Sequence, residues 1–122
     1  MIIVTATLSF ETEEDRDRAV ASTAAVQKAT RDDEPGCLAY CFAADPAEAT
    51  HIQVYELWTD ADALADHFEH PNYAAMVEVL RTSGGFVHSE NRLWVADDRG
   101  PVYDDNGFRK DAVNGSGARE EN

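Results

Sequence analysis

Cys37-Leu38-Ala39-Tyr40-Cys41-Phe42-Ala43-Ala44 is followed by Asp45-Pro46 and then by His51-Ile52-Gln53-Val54-Tyr55-Glu56-Leu57-Trp58-Thr59. Both runs have the length and the apolar or aromatic content of strands, and Asp-Pro opens a turn between them. They predict a β-hairpin over 37–44 and 51–59. This hairpin lies near the middle of the chain with a helical pattern on each side, and that placement decides the fold.

On the N-terminal side, residues 2–10 alternate. Ile2, Val4, Ala6, Leu8 and Phe10 share one face and Thr5, Thr7 and Ser9 the other, as a half-buried strand requires. Thr12-Glu13-Glu14-Asp15 resembles a capping box and puts acids at the positive end of a helix. That helix runs to about Arg31 with a small apolar stripe of Ala19, Val20, Thr23, Ala24, Val26 and Ala29. Asp32-Asp33-Glu34-Pro35-Gly36 then breaks it. On the C-terminal side, Asp60 caps a helix containing Leu64, Ala65 and Phe68, and Pro71 interrupts it. A further helix over 72–80 turns Tyr73, Met76, Val77 and Leu80 inward. Ser83-Gly84-Gly85 ends it, and residues 86–95 form a fourth strand closing on Leu93-Trp94-Val95.

The order is β-α-β-β-α-β, an α+β ferredoxin-like fold with a four-stranded antiparallel sheet and helices on one face. The other sheet face carries apolar side chains from several strands. A second copy of the same sheet is its simplest cover, so a homodimer is expected.

With 122 residues the chain has room for one domain, expected over 1–96, followed by an acidic polar arm over 97–122 with seven acids and four bases. The net charge of −14 argues against nucleic acid and anionic membrane surfaces as partners. No apolar run approaches the length of a membrane span. Met1-Ile2-Ile3-Val4-Thr5 lacks a basic region and reads as a strand, not a secretion signal. Cys37 and Cys41 are expected on one strand face, roughly 13 Å apart and too far to bridge. Reduced thiols fit a cytoplasmic protein. A catalytic thiol would need a partner, and none is evident near either.

Four stretches carry a family resemblance: Ile2-Ile3-Val4-Thr5-Ala6, Glu34-Pro35-Gly36-Cys37-Leu38-Ala39-Tyr40, Tyr55-Glu56-Leu57-Trp58-Thr59-Asp60, and Ala65-Asp66-His67-Phe68-Glu69-His70-Pro71-Asn72-Tyr73. In this order and spacing, over about residues 1–95, the chain resembles the antibiotic biosynthesis monooxygenase family. The resemblance implies a dimeric α/β barrel. It also implies oxidation of a quinol or related phenol by O2 with no metal, flavin or haem. A haem-degrading branch has an Asn, a Trp and a His where this chain aligns Ala6, His67 and Val77, so that branch does not match. The nearest resemblance is to the quinol monooxygenase and autoinducer-isomerase branches, which share the Glu56 and His67 positions.

His67 is the first candidate for chemistry. Its ordinary pKa is near neutrality, so it can take a phenolic proton and leave a ring electron-rich enough to reduce oxygen. The alternative is a histidine that bonds a helix end or a carbonyl. Glu56, with apolar Val54 and Trp58 two residues away on either side, would be costly to bury unless hydrogen-bonded. It would orient His67 if the two meet, or else serve as a structural partner for a backbone group, an Arg or a dimer contact. Trp58, Tyr55, Phe42, Phe68 and Tyr73 are candidates to line a flat aromatic-accepting pocket, or ordinary core. His67, Glu69 and His70 suggest a metal site by composition, but Pro71 disturbs the shared helix face of the His67–His70 pair and no third ligand stands out beside it, so no metal is expected. His51 and His88 fall in strands facing solvent or the dimer. Arg92 would meet an anionic group or a surface acid. No phosphate loop and no Gly-x-Ser-x-Gly motif is present. Two other functions remain open on the same residues: a non-oxidative isomerase or decarboxylase, and a non-catalytic binding or stress-associated domain.

Overall fold

The computed structural model describes residues 1–113. The elements are β1 (Ile2–Phe10), α1 (Glu13–Asp33), β2 (Cys37–Ala44), β3 (His51–Trp58), α2 (Ala61–Glu69), α3 (Pro71–Ser83) and β4 (Phe86–Val95). The strands form one antiparallel sheet in the order β2-β3-β1-β4. This is the ferredoxin-like α+β fold, with the hairpin β2–β3 at one side and the first and last strands paired. The registers place Val4 between Glu56 and Leu93, and Ala6 between Val54 and Asn91. Strand alternation then aims the even-numbered residues of β1 and β3 at the helices.

Thr12 caps α1 by accepting from the Asp15 backbone N–H at 3.0 Å, with Glu13, Glu14 and Asp15 in the first turn. The helix runs two residues beyond the predicted end. Pro35 then forces Glu34 into extended backbone, at φ −107° and ψ 106°. Its buried face is more polar than the expected stripe. Ala24 is exposed, and Arg16, Gln27 and Thr30 are buried instead. Each of these polar groups has a partner. Gln27 takes the Phe42 backbone N–H on its Oε1 at 2.9 Å and donates Nε2 to the Phe42 carbonyl at 3.2 Å. Arg31 Nε donates to the Tyr40 carbonyl at 2.7 Å. These bonds seal the outer edge of β2, an edge that would otherwise present unpaired backbone groups. Arg16 Nη1 donates to the carbonyls of Asp45, Glu48 and His51, tying the β2–β3 link to α1.

The core lies between sheet and helices, built on Leu8, Phe10, Ile52, Val54, Trp58 and Met76. The opposite sheet face has no cover among the described residues. Ile3, Ala39, Cys41, Tyr55, Leu57 and Trp94 lie on it, with Trp94 half exposed. The two cysteines do not share a face. Leu38 is an extra residue in the β2–β3 ladder, so Cys37 sits opposite Trp58 on the helix side and Cys41 opposite Tyr55 on the far side. Both are free thiols.

Beyond the sheet, β5 (Tyr103–Asp104) and β6 (Gly107–Phe108) form a small hairpin, followed by a short turn of helix, α4 (Lys110–Val113). Buried Arg109 holds it by donating to the carbonyls of Arg99 and Pro101. Of the acidic arm expected over 97–122, residues 114–122 lie outside the described residues. No helix among the described residues is long and apolar enough to cross a membrane.

Candidate active site

A cavity of about 410 Å³ opens between the helix side of the sheet and α2 and α3. Its floor is Val4, Ala6, Tyr40, Phe42, Val54 and Glu56. Its roof is His67, Phe68, Tyr73, Met76, Val77 and Leu80, and β4 adds Ser89, Asn91 and Leu93 at one side. The volume suits a small aromatic molecule.

His67 lies in the last turn of α2, 2% exposed, yet on the cavity wall. Asp60 starts that helix by accepting from the Ala63 backbone N–H at 2.8 Å. His70 ends it, and the same residue caps α3 by accepting the Asn72 backbone N–H on Nδ1 at 3.0 Å. Pro71 therefore begins α3, at a position where a missing N–H costs nothing, instead of breaking one helix. The imidazole of His67 stands in an aromatic box. Trp58 lies 4.6 Å away at a tilt of 36°, and Tyr40 and Tyr73 meet it edge-on at 5.5 Å each.

The partner of His67 is Glu34. Its Oε1 is 2.8 Å from His67 Nδ1, and its Oε2 accepts from Asn72 Nδ2 at 3.2 Å. Both side chains of the His67–Glu34 pair are buried. A carboxylate only accepts, so Nδ1 carries the proton and Nε2 is the ring's remaining nitrogen. Nε2 has no hydrogen-bond partner among the described residues. Gly36 lets the chain bring Glu34 this close, since a Cβ there would run into the Ala63 side chain of α2.

Glu56 does not reach His67. Its Oε1 accepts from Trp58 Nε1 at 3.0 Å, and the side chain faces the cavity at 9% exposure. Burial pushes its carboxyl up to about 7, against the pull of the Trp58 hydrogen bond and with a further push from the Glu34 charge. Burial, with the charges of Glu34 and Glu56, likewise pushes the Cys37 thiol up to about 11, so it is a thiol and not a thiolate at neutral pH.

Among the residues singled out in the sequence, His67, Glu56, Phe42, Phe68 and Tyr73 share this cavity. Trp58 and Tyr55 do not line it. Trp58 is fully buried behind His67, and Tyr55 is on the far face of the sheet because it is one residue out of phase with Val54 and Glu56. Glu34 and Tyr40 belong to the site and were not among the candidates. The signal for Glu34 was a carboxylate before Pro-Gly at a helix end, a spot where acids are unfavourable against the helix dipole. Arg92 pairs with Thr5 on β1 at the cavity's edge, and no group of three metal-ligating side chains occurs among the described residues.

The profile of the antibiotic biosynthesis monooxygenase family matches residues 1–79. No curated protein matches. Among solved structures, a Deinococcus radiodurans protein assigned to antibiotic biosynthesis monooxygenases superposes with a TM-score of 0.72 at 22% identity, over 85% of this chain and 100% of its own. The ActVA-Orf6 monooxygenase of Streptomyces coelicolor, in complex with nanaomycin D, gives 0.67 at 20% identity, over 80% and 88%. SnoaB, a cofactor-independent oxygenase from Streptomyces nogalater, gives 0.59 at 18% identity, over 80% and 93%. At such identities the likeness is one of fold.

Proposed function

The chain belongs to the antibiotic biosynthesis monooxygenase family, and from that premise we propose that it is a cofactor-independent monooxygenase of the quinol-oxidising kind. Its substrate is a quinol or related phenol. The observation that carries this is the buried Glu34–His67 pair on the wall of an aromatic-lined cavity.

His67 Nε2 takes the phenolic proton, and Glu34 stabilises the imidazolium that results. The phenolate is the electron-rich form, able to pass an electron to O2. One oxygen atom then enters the ring carbon, replacing hydrogen, and the other leaves as water, so that quinol and O2 yield hydroxyquinone and water. Phe42, Phe68 and Tyr73 hold the flat ring. SnoaB, a cofactor-independent oxygenase, and the nanaomycin D complex of ActVA-Orf6 have the same fold, which supports an oxygenase and an aromatic ligand. The proposal includes a homodimer in which the far face of one sheet covers that of another.

Oxygen uptake with a panel of quinols tests the reading. His67→Ala should abolish turnover; unchanged turnover in that variant removes His67 as the base. Uptake by no quinol removes the oxygenase reading. A second reading is favoured by one further observation. His67 and Glu56, the latter titrating near neutrality, face the same cavity and could pass a proton across a small metabolite. That non-oxidative isomerase or decarboxylase would work under strict anaerobiosis.

A further inference from the structure

We infer that the Tyr40 hydroxyl and the second carboxyl oxygen of Glu56 contact the ligand, selecting an aromatic ring with a free hydroxyl over the same ring with its hydroxyls capped. This rests on the oxygenase reading only for the class of ring. Tyr40 lies in a stretch that carries the family resemblance but is given no role in the site there.

Tyr40 is 2% exposed, and its ring is fixed by Phe42 at 5.2 Å, His67 at 5.5 Å and Trp58 at 6.4 Å. The hydroxyl has no hydrogen-bond partner among the described residues. A phenylalanine would fill the same space without burying a hydroxyl that folding does not pair. Glu56 sits directly opposite Tyr40 across the β2–β3 ladder, and both face the cavity. One oxygen of Glu56 is taken by the Trp58 indole, and the other has no partner among the described residues. Two nine-tenths-buried polar side chains, neighbours on one wall of the cavity, thus each carry a hydrogen-bonding group that no described residue meets.

Their chemistry is complementary. Burial and the nearby carboxylates of Glu56 and Glu34 push the Tyr40 phenol upward, which keeps it a donor at neutral pH. Glu56 supplies an acceptor when ionised. A ligand hydroxyl accepts from Tyr40 and donates to Glu56 at once. An ether oxygen cannot donate, and it adds a methyl to a filled wall. A site built to bond a hydroxyl rejects the analogue that lacks it, because its own polar groups are then left unpaired.

The test is anaerobic calorimetric titration of naphthohydroquinone and of its dimethyl ether into the wild-type full chain, Tyr40→Phe and Glu56→Gln, with a thermal melt of each. The wild type should bind the quinol about 100-fold or more tighter than the ether. Each substitution should cost about tenfold or more in quinol affinity and leave the ether unchanged. Tyr40→Phe should melt at the wild-type temperature or above. A lower melting temperature overturns the inference, because the hydroxyl would then be supporting the fold. So does equal binding of quinol and ether, unaltered quinol affinity in Tyr40→Phe, or no quinol binding by the wild type. Selective binding without aerobic oxygen uptake would instead sink the oxygenase reading and leave this one standing.

Discussion

His67 Nδ1 lies 2.8 Å from Glu34 Oε1, joining residues 33 apart in sequence with both side chains buried. The contact fixes the tautomer of the ring, and it ties the start of β2 to the end of α2. These are two separable jobs. Glu34→Gln keeps an acceptor for Nδ1–H but no charge for an imidazolium, so kcat should fall by about 100-fold. KM should hold, because Glu34 lies behind His67 and not on the cavity wall. Glu34→Ala leaves the buried His67 Nδ1–H and the half-buried Asn72 Nδ2 unpaired and should cost about 2–3 kcal/mol of stability. Steady-state kinetics and urea titration of the two variants separate the jobs. An unchanged kcat in Glu34→Gln would show that the carboxylate only props the fold.

Glu56 gives stability a pH slope of known sign. Its folded carboxyl titrates at about 7 against an ordinary 4.5, so the folded chain holds the proton more tightly than the unfolded one. Glu56 therefore imposes no penalty below about pH 4.5, and its ionisation opposes the fold increasingly as the pH rises to 7. Above that the loss is complete, on the order of 3 kcal/mol. Glu56→Gln can keep the Trp58 hydrogen bond and has no charge to bury. It should be more stable than the wild type at pH 8, with the two converging at pH 4.5. Urea titration at the two pH values gives the difference, and a gap of the same size at both would refute burial as the cause of the shift.

Periodicity carries the fold because β1, β2 and β3 each bury residues on one face, so hydrophobic alternation and hairpin placement set the topology. It was not enough for the site. His67 and Glu56 both stand out as polar residues on apolar faces, but alternation leaves open whether Glu56 meets His67 or serves as a structural partner elsewhere. Glu56 instead spends one oxygen on Trp58, two residues along its own strand face, and His67 finds Glu34 from the turn before β2. Tyr55 is out of phase with Val54 and Glu56 by one residue, and period two sends it to the far face. Leu38 hid a bulge that no alternation pattern in Cys37–Ala44 reveals, and so the two cysteines separated. The apolar stripe of α1 missed Arg16 and Gln27, whose burial is stable only because a neighbouring strand and loop offer carbonyls.

Arg16 shows what such buried polar contacts are worth. Its Nη1 reaches the His51 carbonyl at 3.0 Å, with the Glu48 and Asp45 carbonyls at 3.3 and 3.4 Å. Arg16→Ala removes the donor for three backbone groups and should cost about 2–4 kcal/mol. Arg16→Lys retains a charge but not the planar guanidinium, and should recover only part of this. Urea titration at pH 7 reads both. The cavity residues lie on other elements, so ligand affinity should survive in either variant where the protein is still folded.

The proposed dimer can be tested on a residue far from the chemistry. Leu57 lies on the uncovered sheet face beside Ile3 and Ala39, while its chain neighbours Glu56 and Trp58 face the helices. If two sheets meet here, Leu57→Glu buries a like-charged pair about the two-fold axis. The dimer should then dissociate, because a buried carboxylate without a cationic partner is costly and this face would carry two. A monomeric chain keeps Leu57 partly open to solvent and would accept the same substitution with little loss. Sedimentation equilibrium of wild type and variant distinguishes the cases: a wild-type dimer that becomes a folded monomer is the expected result. A dimer of unchanged mass after the substitution would place the interface elsewhere, and a monomeric wild type would remove the dimer. Because Leu57 points away from the cavity, quinol binding by the monomeric variant then tells whether one copy completes the site or the second sheet is needed to hold β4, whose residues are exposed on both faces in the single chain.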